Sequence, residues 1–290
     1  MKKVNAIRCF FLLVIFQVLP GLGYSQSEPG YVPEVGQQGK DVVWVPTPDE
    51  LVDLMLKTAK VTAKDYVVDL GSGDGRTVIA AAKLGARAEG VEYNPDMVVL
   101  SKRNAEREGV ADRVSFVEAD LYEYDLSKAT VITMFLLPEI NLKLRPRLLE
   151  LKPGTRVVSN TFTMGEWSPD FEVTTEDNWN SWNTALMWIV PAKVEGSWQI
   201  GADKLSLTQE YQMIYGSYIT GDQIVQITDG RLSGNDITFR VNGNLYTGKI
   251  EGSAMTGELY QGSVKKSWNA TRSDQDRKST RLNSSHVSQS

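Results

Sequence analysis

The sequence predicts a doubly wound α/β sheet followed by a small all-β unit, either barrel or sandwich. Three observations carry this. Short apolar runs alternate with helical patterns between Tyr66 and Ser159, a glycine-rich turn joins the first run to its helix, and the helical period stops near Val194. At 290 residues and 41% hydrophobic content, the chain is long enough to bury a sizeable core in each part.

The elements follow in order. Thr47-Pro48-Asp49-Glu50 reads as a helix start, with Thr47 as the cap, Pro48 at the first helical position and Glu50 closing a capping box. Leu51, Leu54, Met55 and Thr58 then recur at helical spacing. Tyr66–Leu70 reads as a strand, 76–84 as a helix ended by Gly85, and 88–93 as a second strand. Residues 95–108 form a helix closed by Gly109, Val114–Glu118 a third strand and 131–137 a fourth. A helix over 139–151 and a fifth strand over 156–159 complete the alternation. Helices of this length between strands require crossover connections, hence a parallel sheet covered on both faces. Phe171–Thr174 and 185–190 are expected as its last strands.

Beyond Val194 the grammar changes. Short alternating segments run from Gly196 to Arg272, split by Gly, Asn and Asp, and Asn242-Gly243 between 237–241 and 245–250 signals a hairpin. Seven or eight antiparallel strands are expected. Trp198, Tyr211, Tyr218, Phe239, Tyr246 and Trp268 read as their core aromatics, with a ligand-binding stripe as the alternative.

The ends have their own signatures. Lys2, Lys3 and Arg8 precede an apolar run from Cys9 to Leu19, and Gly23-Tyr24-Ser25 supplies small residues before a cut ahead of Gln26. This reads as a signal peptide over 1–25 and an exported protein, placed in a bacterial periplasm or cell envelope, with an uncleaved membrane anchor as the alternative. Residues 26–40, rich in Gly, Gln, Pro and Glu, read as a linker. The sheet domain is then expected at 41–193, the β domain at 194–272, and a disordered tail of non-native appearance at 273–290.

Composition narrows the chemistry. Cys9 and His286 are the single Cys and His, and they lie in the expected leader and the expected tail. A cysteine nucleophile, a Ser-His-Asp triad and a disulfide framework are excluded for the body, and no metal site is expected. The net charge is −5, and loss of the leader, with three basic residues and no acid, makes it more negative still. An acidic body disfavours a nucleic-acid partner.

The informative stretch is Val67-Val68-Asp69-Leu70-Gly71-Ser72-Gly73-Asp74-Gly75-Arg76. A buried strand ends in an acid, and glycines lead into a helix whose N-terminus offers free N–H donors. Glu92 ends the second strand, where an acid takes ribose hydroxyls, and Asp120 follows the third, beside Leu121. The Gly-x-Gly-x-Gly spacing suits an amino-acid end better than a pyrophosphate, which disfavours an NAD-linked oxidoreductase.

At these residues the chain resembles the class I S-adenosylmethionine-dependent methyltransferases, with their Rossmann-like sheet. The resemblance covers about 41–191 and implies S-adenosyl-L-methionine as cofactor. It implies that Asp69, Gly71, Gly73 and Gly75 hold the methionyl end, Glu92 the ribose, and Asp120 with Leu121 the adenine, with Ser72 and Asp74 of the same loop also at the cofactor. Val45-Pro46-Thr47-Pro48 and Phe135-Leu136-Leu137-Pro138-Glu139-Ile140-Asn141-Leu142 are similar to segments of the ATP-synthase c-subunit lysine methyltransferases and their bacterial relatives. The Asn-Pro-Pro-Tyr type motif of enzymes that methylate nucleic-acid amines is absent after the fourth strand.

Methyl transfer needs its reactants held in line and kept dry. Glu139 is the candidate to steer an incoming ammonium, and Phe135 to wall the methyl site; the alternative makes Glu139 a favourable first-turn charge and Phe135 core. Asn160 and Thr161 are expected at the same crevice, and Trp44 and Thr47 to close over the cofactor. A protein side chain, with Lys favoured, is the leading methyl acceptor. A small-molecule acceptor and an exported, non-catalytic cofactor-binding protein are the alternatives.

Overall fold

A computed structural model describes residues 31–39, 43–176 and 181–273. The expected signal peptide, the beginning of the linker and all but the first residue of the tail lie outside the described residues.

The first sheet contains β1 (Tyr66–Leu70), β2 (Arg87–Glu92), β3 (Val114–Glu118), β4 (Val131–Met134), β5 (Arg156–Asn160), β6 (Phe171–Thr174) and β7 (Thr184–Ile189), in the order β3-β2-β1-β4-β5-β7-β6. The first five are parallel, β7 runs antiparallel to β5, and β6 runs antiparallel to β7. Strand alternation feeds two cores: Val67 packs with the helices on one face, and Val68 and Leu70 pack on the other. Helices α1 (Asp49–Thr58), α2 (Arg76–Lys83) and α3 (Pro95–Arg107) pack on the first core, α3 through Val98 and Ala105. Helix α4 (Pro138–Leu148) gives Ile140, Leu144 and Leu148 to the second. The strand order reverses between β1 and β4, so a crevice opens past their carboxyl ends.

Two local expectations are corrected. Pro48, not Thr47, stands at the N-cap of α1, without a side-chain hydrogen bond, and the Thr47 hydroxyl accepts Asn160 Nδ2 at 3.3 Å instead. The fourth strand ends at Met134 rather than 137, since Phe135, Leu136 and Leu137 leave the sheet to form a wall of the crevice.

The second sheet begins with β8 (Gly196–Ile200), β9 (Asp203–Glu210), β10 (Met213–Thr220), β11 (Gln223–Gln226) and β12 (Thr228–Ser233). It continues with β13 (Asp236–Val241), β14 (Asn244–Glu251), β15 (Ala254–Gln261) and β16 (Val264–Arg272). Pairing of β9 with β10 and of β8 with β16 closes eight of these antiparallel strands into a barrel, and β11 hangs on β10 outside the ring. Asn242 and Gly243 have φ of 48° and 77°, the left-handed pair that a two-residue hairpin turn needs. Phe239 stacks on Tyr246 at 4.8 Å, and Trp268 meets both rings edge-on. Trp198 is fully buried in the same core. Tyr211 is the exception among the predicted core aromatics. It stands in the β9–β10 turn and packs against the core of the first sheet.

Candidate active site

The crevice is a cleft of about 250 Å³ whose walls come from the ends of β1, β2, β3 and β4 and from the segment before α1. The loop after β1 forms its floor. Gly71, Gly73 and Gly75 have φ of 74°, 54° and 82°, so the turn needs residues without a Cβ. The backbone N–H groups of Gly71 and Ser72 both donate to Val91 O, which ties the loop to β2. From below, Ser101 Oγ donates to Gly73 O at 2.8 Å and Asn104 Nδ2 to Asp74 O at 2.9 Å. Over the top, a Cβ on Gly73 would stand 2.6 Å from the indole nitrogen of Trp44.

Arg76 clasps this arrangement together. It holds the Asp74 carboxylate through two nitrogens and donates to the Thr47 carbonyl at 2.9 Å. Trp44 in turn pairs with Gly36 and Gln37, and Gln37, Gly39 and Val43 line the cleft. Part of the expected linker is therefore a wall of the site.

The acids differ in their surroundings. Asp69 is buried, and its partners are the hydroxyls of Thr133, at 2.6 Å, and Thr77. Desolvation pushes its carboxyl up to about 7; the nearby charges of Glu92 and Asp74 add to this, and the Thr133 hydrogen bond opposes it. Glu92 accepts the backbone N–H of Gly73 through one oxygen and that of Asn94 through the other, both at 2.9 Å. Each oxygen keeps a second lone pair for a ligand. Asp120 accepts the N–H of Tyr122 at 2.9 Å, and Ala119, Asp120 and Leu121 all line the cleft.

The opposite end is apolar. Phe135 stacks on Phe162 with centroids 5.8 Å apart and meets Trp182 edge-on at the same separation. Leu136, Leu137 and Ile140 continue this wall.

The ANTKMT methyltransferase domain family matches residues 69–171, a stretch that takes in the glycine loop, Glu92, Asp120 and Phe135. The protein-lysine N-methyltransferase of Saccharolobus islandicus (strain REY15A) is 45% identical over 152 residues, which are 51% of this chain and 94% of that relative. The chain belongs to this family of class I methyltransferases. The human ATP-synthase c-subunit lysine N-methyltransferase is 37% identical over 128 residues, 44% of this chain and 54% of that protein. The chain therefore matches about half the length of its human relative. An RNA methyltransferase from Salinibacter ruber, solved with S-adenosyl-L-homocysteine, is 50% identical with a TM-score of 0.49, covering 52% of this chain and 96% of that one.

The methyltransferase uses S-adenosylmethionine, and its cleft fits that group on its own terms. A buried carboxylate lining the cleft, whose partners in the structure are hydroxyls, suits an amino-acid ammonium. Of the residues expected from sequence, Thr47, Asp69, Gly71, Ser72, Gly73, Asp74, Glu92, Asp120, Leu121 and Phe135 all line the methyltransferase cleft.

Three expectations are corrected. Gly75 does not line the cleft; it turns inward, where a Cβ would stand 2.8 Å from Phe116 and 2.9 Å from Ser101. Glu139 is exposed in the first turn of α4 and is absent from the walls. Asn160 and Thr161 also stay outside, because Asn160 is buried behind Thr47 and Thr161 accepts the Thr184 N–H. Asp74 lines the cleft while its carboxylate is engaged by Arg76. Ser72, although at the cleft, has its hydroxyl packed on Gly90, where a Cβ would come within 2.5 Å.

Sequence reasoning missed Arg76, Phe162 and Trp182. For Phe162 the only signal is an aromatic just past a strand end. For Trp182 it is a tryptophan in the polar run Asn180-Ser181-Trp182-Asn183.

Proposed function

We propose that the enzyme methylates the side-chain amine of a protein lysine, with the acceptor reaching the cleft between Phe135, Phe162 and Trp182. The observation that carries this reading is the division of the cleft into an acidic, glycine-floored end and an aromatic end. The stem of a lysine is apolar and its head cationic, a combination that aromatic faces accommodate. The lysine specificity named for the Saccharolobus and human relatives supports the same acceptor.

In this reading Asp69 holds the ammonium of the cofactor, Glu92 its ribose hydroxyls, and Asp120 with Leu121 its adenine. Gly71 and Gly73 let the backbone approach, and Trp44 and Thr47 cover the site. S-adenosylmethionine supplies a methyl group carried on a sulfonium. The chain contributes a dry, oriented amine. Half-exposed Trp182 gathers the ammonium, while buried Leu136 and Ile140 make it costly to keep the charge. The proton leaves to solvent, and the neutral nitrogen presents its lone pair.

The test is transfer of labelled methyl from S-adenosylmethionine to cell-envelope and cytosolic proteins of the source organism, followed by acid hydrolysis. Label in methylated lysine supports the reading. Label confined to small molecules or nucleic acid sinks it.

A further inference from the structure

Tyr211 is where the barrel grips the loop that carries Phe162. Its φ of 52° is left-handed, a conformation that an aromatic residue seldom adopts. The ring stacks on Trp167 with centroids 6.1 Å apart and planes 13° from parallel, and the guanidinium of Arg145 lies 5.5 Å from its centroid. Beside it, buried Gln212 donates to Ser168 O at 2.8 Å.

The gripped loop is held at several points. Trp167 is fully buried, and its carbonyl accepts the indole N–H of Trp188 at 2.6 Å. Arg145 donates to Met164 O and to Glu166, both at 2.8 Å. Asn141 donates to the carbonyls of Phe162 and Thr163. At the near end of this loop Phe162 stacks on Phe135 in the cleft. Among the described residues no barrel residue lines the cleft itself.

We propose that Tyr211 is a positioning residue for the methyl acceptor. By anchoring Trp167 it fixes the Phe162 wall, so the barrel sets acceptor binding while leaving the cofactor end untouched. The proposal rests on the aromatic end being the acceptor channel.

The test uses the full chain saturated with S-adenosyl-L-homocysteine, with n-butylammonium as a probe of the lysine head and stem. Tyr211→Ala is expected to weaken probe binding about fivefold or more and to speed amide exchange over 162–168 about tenfold or more. Its affinity for S-adenosyl-L-homocysteine is expected to stay within about twofold of the unmodified protein. Tyr211→Phe keeps the stack and is expected to behave as the unmodified protein. Gln212→Ala, which removes the Ser168 hydrogen bond alone, is expected to speed exchange in the same loop to a smaller extent.

Unchanged probe binding and exchange in Tyr211→Ala would overturn the proposal. So would loss of S-adenosyl-L-homocysteine binding in both Tyr211→Ala and Gln212→Ala, since the contact would then support the whole site. Phe162→Ala separates the two levels of argument. If it binds n-butylammonium normally, the acceptor channel itself is wrong and the proposal falls with it.

Discussion

The backbone N–H of Gly73 donates to Glu92 Oε2 at 2.9 Å, so the acid ending the second strand is bolted to the glycine loop that follows the first. One carboxylate thus holds the loop and lines the cleft. Glu92→Ala should weaken S-adenosyl-L-homocysteine binding by about tenfold to a hundredfold, the range for a lost charge-assisted hydrogen bond. Glu92→Gln retains one acceptor and should lose less. Calorimetric titration of both variants checks this, and unchanged affinity in Glu92→Ala would remove Glu92 from the site.

Asp69 makes two pH-dependent predictions of opposite sign. Its carboxyl is raised in the folded protein from 3.8 to about 7. Between those values the folded protein holds a proton that the unfolded chain has released, so this group's contribution to stability falls as pH rises through the window. The change is on the order of a few kcal/mol, and Asp69→Asn should remove it from urea unfolding curves. Ligand affinity should move the other way, rising as pH passes about 7, because an ammonium prefers the ionised carboxylate. An affinity that stays level across this range in the unmodified protein would contradict the assignment.

Gly73 is constrained by conformation and by Trp44 together. Gly73→Ala should destabilise the protein by about 1–2 kcal/mol from its left-handed φ alone. It should also displace the Trp44 indole and weaken cofactor binding. Adding Trp44→Ala opens the space but leaves φ strained, so the double variant should recover stability only in part. Thermal unfolding and calorimetry on the three variants separate the two effects.

The aromatic end and Glu139 give contrasting expectations. Trp182→Ala should lower kcat/KM for methyl transfer by about tenfold, mainly through KM, with cofactor affinity unchanged. Glu139→Gln should leave kcat/KM within about twofold, as expected for an exposed charge outside the walls. Radiolabel transfer to a lysine-bearing acceptor measures both.

The glycine-floored end of the cleft was legible because its signals are local. Asp69, Gly71 and Gly73, then Glu92 and Asp120, each sit where a strand meets its following turn, and a parallel sheet gathers such points at one edge. The aromatic end is assembled from distant pieces. Phe135 could be read from its neighbours, but Phe162 and Trp182 join it only because β5 and β7 pair antiparallel, a reversal that no short-range pattern encodes. Thr47 misled for a related reason. It has the chemistry of a cap, yet Asn160, more than a hundred residues away, takes its hydroxyl. Tyr211 reads as one more alternating aromatic, and only its place in the turn sends it toward the other sheet.

The first and last strands of the barrel lie side by side, with Gln199 opposite Thr271 and Trp198 opposite Arg272. The polypeptide therefore enters and leaves this part through a single doorway. A cassette with adjacent entry and exit is suited to transplantation, insertion and circular permutation, because relocating it disturbs one seam. Such a graft onto a barrel-free relative would need its Tyr211 hairpin to meet a matching tryptophan, which makes that turn the plug of an otherwise portable part.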